Sequence, residues 1–208
     1  MILNLAWLII TYVLCSVPFG VFITRAVCGL DPREHGSRNI GATNVARLCG
    51  ARYGVAVLAL DLLKGFFCVW VATTFNDGWL YLSLCALAAV LGHMYSCFLS
   101  GRGGKGFATT IGGFLALAPL TTVLSVALCI AVIVLSGFVS LGALMFGAAL
   151  PVLLLLGGNV AFVPAALVAM LFLYWKHRDN IERLARGQEN PWRRKKGDSD
   201  EPDEPEVE

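Results

Sequence analysis

Between Phe107 and Trp175 the chain contains no Asp, Glu, Lys or Arg. Over the whole sequence 14% of residues are charged and 57% are hydrophobic, whereas soluble domains carry about 25% charged residues. An uncharged stretch of this length exceeds what the core of a soluble domain holds and reads as membrane spans. The charges are unevenly placed. Every Lys and Arg falls in or beside residues 25–64, 102–105 or 176–196. The net charge of +2 therefore says less than the clustering. Charge bias of this kind predicts that the three clusters share the cytoplasmic face.

That constraint sets the number of crossings. Apolar runs occupy residues 2–24, 53–75 and 79–91, and the second of these is interrupted by Asp61 and Lys64. If the clusters flanking residues 107–175 lie on one side, the stretch between them crosses an even number of times. Two crossings would take about 34 residues each, well beyond the usual ~17–25, and four take about 17. Breaks near Pro119, Gly137 and Gly157-Gly158-Asn159 cut the stretch accordingly. The fold class predicted is all-α: a polytopic membrane protein of about seven transmembrane helices, N-terminus outside and C-terminus cytoplasmic. Short spans are tolerated where the bilayer thins or a segment is partly re-entrant. Residues 1–189 form the membrane-embedded domain. Residues 190–208 form a charged tail, basic over Trp192–Lys196 and then acidic and proline-containing, with the composition of a disordered segment. The seven cysteines are odd in number and include no C-x-x-C; they read as small apolar residues, not as a disulfide framework or zinc site. Residues 1–20 lack the basic start of a cleavable signal peptide.

Three polar segments carry the chemistry. The first, His35 to Arg47, offers glycines, the amides of Asn39 and Asn44, the hydroxyls of Ser37 and Thr43, and Arg47. Small residues allow close backbone approach; neutral donors and a forked cation suit a phosphorylated polyol. The second, Gly92 to Thr109, contains Gly101-Arg-Gly-Gly-Lys-Gly106, which is predicted to form a phosphate nest ahead of a helix. It is not a Walker A loop: Leu99 stands where the first Gly belongs and Gly106 where Ser or Thr belongs. In the third, Lys176 to Gly187, the spacing of His177, Asn180, Ile181 and Leu184 predicts a short surface helix. His177 can donate to phosphate or relay a proton. Asp61 and Lys64 sit three apart on one helical face and can pair. Taken alone, each loop is also compatible with an ordinary turn, cap or interfacial helix.

Together the three segments resemble those of the bacterial membrane acyl-phosphate:glycerol-3-phosphate acyltransferases. Gly36 to Arg47 matches a G-S-x-N-x-G-A-T-N-x-x-R run, with Arg38 at a position commonly occupied by Gly; Gly92-His93 and Gly103 to Thr109 match the second motif, and His177 to Glu189 the third. The resemblance implies transfer of a fatty acyl group from acyl phosphate to the sn-1 hydroxyl of glycerol 3-phosphate, giving lysophosphatidic acid and inorganic phosphate, the first acylation of phospholipid synthesis. It implies that His177, Lys105 and Arg47 serve catalysis, that Ser37, Asn39, Thr43, Asn44 and Asn180 bind substrate, and that Gly103, Gly104 and Gly106 hold the donor phosphate. His177 and a substrate phosphate oxygen both remain as the base. No cofactor, metal or nucleic acid is implied. The expected partners are the two substrates, membrane lipid and a soluble enzyme that makes acyl phosphate, and the expected location is the bacterial inner membrane with the site on its cytoplasmic face. Thioester-dependent acyltransferases commonly carry H-x-x-x-x-D, which this sequence lacks: Ile40, Phe98 and Glu182 follow the three histidines at that spacing. A phosphate transporter and a non-catalytic scaffold are the rival classes.

Overall fold

Pro18 breaks the first apolar run in two. It has no N–H to give, and α1 (Ile2–Cys15) ends just before it while α2 (Phe19–Cys28) begins just after. The computed structural model describes residues 2–192, and the described residues form helices and turns only. Both the basic cluster 193–196 and the acidic end of the tail lie outside the described residues. After α2 come a short α3 (Ala42–Cys49), α4 (Ala51–Thr73) and α5 (Trp79–Met94). Then follow α6 (Phe107–Leu117), α7 (Pro119–Ser136), α8 (Val139–Leu156), α9 (Val163–Lys176) and α10 (Arg178–Ala185).

The three breaks expected in the charge-free stretch are all present. Pro119 opens α7, left-handed Gly137 (φ 80°) closes it, and Gly157 to Asn159 separate α8 from the turn leading into α9. Five segments are long and apolar enough to cross a bilayer: Ile2–Cys28, Ala51–Thr73, Trp79–Leu99, Pro119–Ser136 and Val139–Leu156. Residues 160–176 and α10, bent from one another by 64°, bring the count to six when the pair is taken as one span. The seventh expected helix is α6, and it has only 11 residues. At 1.5 Å per residue that is about 16 Å, against a hydrocarbon core of about 30 Å.

α6 keeps its place by packing rather than by length. It lies against α4 at a separation only glycine permits: a Cβ on Gly112 would stand 2.0 Å from the Leu62 carbonyl oxygen, and one on Gly65 2.5 Å from that of Thr109. Small residues are the usual means of close helix association in lipid, where burial of apolar surface drives nothing by itself. Ile111 and Phe114 on α6 join Phe146, Leu150 and Leu154 of α8 and Ala165, Ala166 and Ala169 of α9 in the main apolar cluster. Asp61 and Lys64 pair as anticipated, Lys64 Nζ lying 2.7 Å from Asp61 Oδ1, and both are buried. Lys64 also donates to the Val17 carbonyl opened by the Pro18 break, at 2.9 Å. His93, which the sequence did not connect to the pair, approaches Asp61 to 3.5 Å. One cysteine expectation is overturned. Cys28 and Cys49 are joined as a disulfide, Cα–Cα 6.0 Å. They end α2 and α3, two helices that pack together, and nothing in a count or a local spacing exposes that proximity.

Candidate active site

The first loop is built around Asn44 and Asp31. Asn44, 1% exposed, accepts from the Ser37 amide at 2.9 Å and donates to the carbonyls of Pro32, His35 and Asn39 at 2.8–3.1 Å. Its hydrogen-bonding capacity is spent on the loop, so it shapes the site where direct substrate contact was expected. Asp31 accepts from Arg33 and Arg25, each at 2.6–2.7 Å. The Arg33 side-chain hydrogen bonds, followed by that of the Arg33 backbone amide and that of Arg25, hold the Asp31 carboxyl well below the usual carboxylate range. Asn39 turns the chain by accepting from the Gly41 amide at 2.8 Å. Thr43 is half-buried on the first turn of α3.

The glycines of the second loop have a different task from the one anticipated. The amides of Gly103 and Gly104 donate to the carbonyls of Met94 (3.2 Å) and His93 (3.0 Å), so neither is free for a phosphate. Their lack of a side chain matters for packing on the end of α5. A Cβ on Gly103 would lie 2.0 Å from the His93 carbonyl oxygen, and one on Gly104 2.1 Å from His93 Nε2. The free donors lie further on. The amides of Gly106, Phe107 and Ala108 have no partner among the described residues. They open α6, where unpaired N–H groups and the helix dipole favour an anion. Left-handed Gly106 (φ 79°) makes the turn that aims them.

Lys105 stands between the two groups of glycines and joins loop two to loop three. Its ammonium donates to Asn180 Oδ1, and Asn180 Nδ2 donates to Glu189 Oε1 at 2.7 Å. Glu189 also accepts from Ser140 Oγ at 2.9 Å and from Arg183 Nε at 2.8 Å. The carboxylate thus fixes which way the Asn180 amide points, and through it the ammonium. Burial is the main reason that the Lys105 pKa falls to about 8; Glu189 opposes the shift while Arg183 and Arg47 add to it. Glu189 is a site residue that the loop-by-loop reading left without a role, although it closes the third motif.

His177 sits at the bend between α9 and α10 and is 4% exposed. Its Nδ1 lies 2.8 Å from the Leu173 carbonyl, which can only accept. Nδ1 therefore carries the proton and Nε2 the lone pair. In the neutral ring Nε2 is thus free to accept a hydrogen bond. Arg47 extends from α3 across the third segment and donates to the Asn190 carbonyl at 3.2 Å. The structure thus gathers Arg47, Lys105, His177 and Asn180, from all three motifs. Ser37 and Asn39 lie on the adjacent first loop, with no side-chain hydrogen bond to that group.

The chain is similar to known proteins over most of its length. The sequence profile of a family described as "Glycerol-3-phosphate acyltransferase" matches residues 5–187. A glycerol-3-phosphate acyltransferase from Nitratidesulfovibrio vulgaris is 55% identical over 196 residues, covering 94% of this chain and 60% of that longer protein. One from Maridesulfovibrio salexigens is 53% identical over 190 residues, 91% of this chain and 97% of the relative. Among solved structures, PlsY (YgiH), an integral membrane glycerol 3-phosphate acyltransferase, superposes in its glycerol 3-phosphate form with a TM-score of 0.86 at 37% identity, covering 90% of this chain and 94% of that one. Its lysophosphatidic acid form gives a TM-score of 0.84.

Proposed function

The chain belongs to the glycerol-3-phosphate acyltransferase family, and from that premise we propose that it transfers a fatty acyl group from acyl phosphate to the sn-1 hydroxyl of glycerol 3-phosphate, releasing lysophosphatidic acid and inorganic phosphate. The observation that carries this reading is the Lys105–Asn180–Glu189 chain beside a buried His177. The dianionic phosphate of glycerol 3-phosphate fits against the Lys105 ammonium and Arg47. Ser37, Asn39 and Thr43, on the adjacent first loop, are assigned to the glycerol hydroxyls.

The reaction requires one bond to form and one to break. The C1 hydroxyl oxygen attacks the acyl carbon, and the bond from that carbon to the phosphate oxygen breaks. His177 Nε2 accepts the hydroxyl's hydrogen bond and orients it for attack. The proton passes to Nε2 or to a substrate phosphate oxygen, a phosphate monoester having a second pKa of about 6. An acyl phosphate is already activated, so positioning and charge neutralisation supply much of the rate. The donor phosphate belongs beside Gly103, Gly104 and Gly106. Since the amides of Gly103 and Gly104 are engaged, the open amides of Gly106 to Ala108 are the ones left to hold it.

The same reading places the site at the cytoplasmic face of a bacterial inner membrane, supplied by a soluble enzyme that makes acyl phosphate, with residues 1–189 as the catalytic unit and 190–208 as an appended tail. Purified protein should convert acyl phosphate and glycerol 3-phosphate to equimolar lysophosphatidic acid and inorganic phosphate. It should be inactive with acyl-coenzyme A or acyl-carrier-protein thioesters. Comparable rates with a thioester would sink the assignment.

A further inference from the structure

Asp61 and Lys64 are ionisable residues inside a span, where charge is costly and by default serves function. Nothing in the reaction above draws on them. Both are buried, and Lys64 donates to the Val17 carbonyl at the break of the first span. Just beyond that break, Gly20 lies so close to the Ile40 carbonyl that a Cβ there has no room, so the same break also backs the first loop. The Asp61 carbonyl accepts from Thr109 Oγ1, in the first turn of α6, at 3.1 Å. His93 lies on the third side. It is 5% exposed, and its Nδ1 faces Asp61 Oδ1 at 3.5 Å and makes no hydrogen bond among the described residues. The other ring nitrogen, Nε2, lies against Gly104, where a side chain on that residue would stand. The imidazole therefore fills the gap between the carboxylate and the second loop.

We propose that Asp61 and His93 are positioning residues for the acyl transfer: the carboxylate fixes the imidazole, and the imidazole sets where the second loop crosses the end of α5. The inference rests on the acyl-transfer reading above and deepens it. A carboxylate facing Nδ1 keeps the proton there and holds the ring plane. Without it the ring can turn, and Gly104 then rests on a different edge. Lys64 balances the charge of the carboxylate, which would otherwise be buried alone. The two halves of the site are braced separately. Lys105 is held from the third motif through Asn180 and Glu189, and Arg47 reaches the Asn190 carbonyl. The open amides of Gly106 to Ala108 have no such brace. They follow on from Gly104, and their helix is tied to α4 at Asp61 through Thr109. Loss of the Asp61–His93 contact therefore displaces those amides and leaves the cations that face glycerol 3-phosphate in place. Mutual neutralisation of Asp61 and Lys64, the plain structural role, has a different consequence: removing both charges together would then be harmless.

The test is steady-state kinetics with purified protein in phosphatidylcholine nanodiscs, joined to nitrogen NMR of protein carrying isotope-labelled histidine. Asp61→Asn combined with Lys64→Met removes both charges and leaves no buried ion unpaired. This double variant should raise KM for acyl phosphate about three- to tenfold and lower kcat about ten- to hundredfold, as small misplacements of reacting groups do. KM for glycerol 3-phosphate should not change. A misfolded, inactive fraction would lower kcat without moving either KM. His93→Asn, with its shorter side chain, should reproduce the split. In that background Gly104→Ala should cost less than in the wild type, because the new Cβ takes space the ring has vacated. The chain has three histidines, so difference spectra against His93→Asn identify the His93 ring. The wild type should show a single tautomer protonated at Nδ1, and the double variant a mixture. Wild-type kinetics in the double variant would overturn the proposal, since the pair would then serve neutralisation alone. So would a change confined to KM for glycerol 3-phosphate, or a His93 tautomer that does not respond to loss of the carboxylate. Failure of the wild type to consume acyl phosphate, with the tautomer still set by Asp61, would count instead against the reaction assigned above.

Discussion

At the scale of residues, Lys105 is the group on which the site turns. Its ammonium is largely buried, yet it is held by an oriented amide and surrounded by further cations. Replacing it with Ala removes a charge-assisted hydrogen bond worth about 1.5–3 kcal/mol. That corresponds to a roughly ten- to hundredfold loss in kcat/KM. Arg47→Ala should fall at the lower end, since Arg47 is exposed. Both variants should still insert; wild-type turnover in either would mean a purely structural cation. The pH dependence follows from the same group. Burial lowers the Lys105 pKa to about 8, so the free enzyme loses the charge that attracts phosphate as pH rises through that value. The kcat/KM profile should therefore fall on its alkaline side with a midpoint near pH 8. In Lys105→Arg the residual activity should lack that limb, because a guanidinium stays protonated. An unchanged limb would assign the titration elsewhere.

At the scale of elements, the second loop is a strand laid against the end of α5, and it can lie there because Gly103 and Gly104 have no side chains. Gly104→Ala should abolish most activity although no charge is lost, since the new Cβ would meet His93 Nε2 at 2.1 Å. His93 has little room to retreat. It is 5% exposed and sits within 3.5 Å of Asp61, itself tied to Lys64. Near-normal kinetics in a well-inserted Gly104→Ala protein would show that the strand can lift away at no functional cost. The glycine-rich composition of this loop was legible in the sequence, but its reason was not. A run of glycines serves equally to expose amides or to let backbone pass close to another element, and only the position of α5 decides between them. The open amides are two residues further along, where α6 begins.

For the whole molecule, helix lengths bear on where the site sits. α6 rises about 16 Å from the second loop, while α7 descends over about 27 Å to Gly137, whose carbonyl accepts from the Trp192 amide beyond the third motif. The hydrogen bond from Asn159 Nδ2 to Thr121 Oγ1, at 3.4 Å, ties the connection after α8 to the first turn of α7. The 11 residues of α6 against the 18 of α7 leave the second loop less far from that end than Gly137 is. Single-cysteine labelling in a cysteine-free background tests the orientation. Cysteines at Asp77 and Gly158 should react with an impermeant reagent from the periplasmic side, and one at Gly103 should react only from the cytoplasmic side. Periplasmic labelling at Gly103 would invert the topology.

The division of labour between sequence and tertiary structure has a physical basis. The sequence by itself determined that the chain is helical and membrane-embedded, because lipid tolerates few charges and demands that each span satisfy its own backbone. It also marked the breaks at Pro119, Gly137 and Gly157–Asn159, since a helix ends where a residue lacks an N–H or readily leaves helical geometry. The three polar motifs were visible because their residue types are costly in an apolar setting and so stand out. What it could not determine were relations between segments distant along the chain. Asn44 as the hub of its loop, His93 against Asp61, Glu189 orienting Asn180 and the Cys28–Cys49 pairing each depend on which surfaces meet. Those meetings are set by close packing of small residues such as Gly65 and Gly112, a property of complementary shapes that no single segment carries.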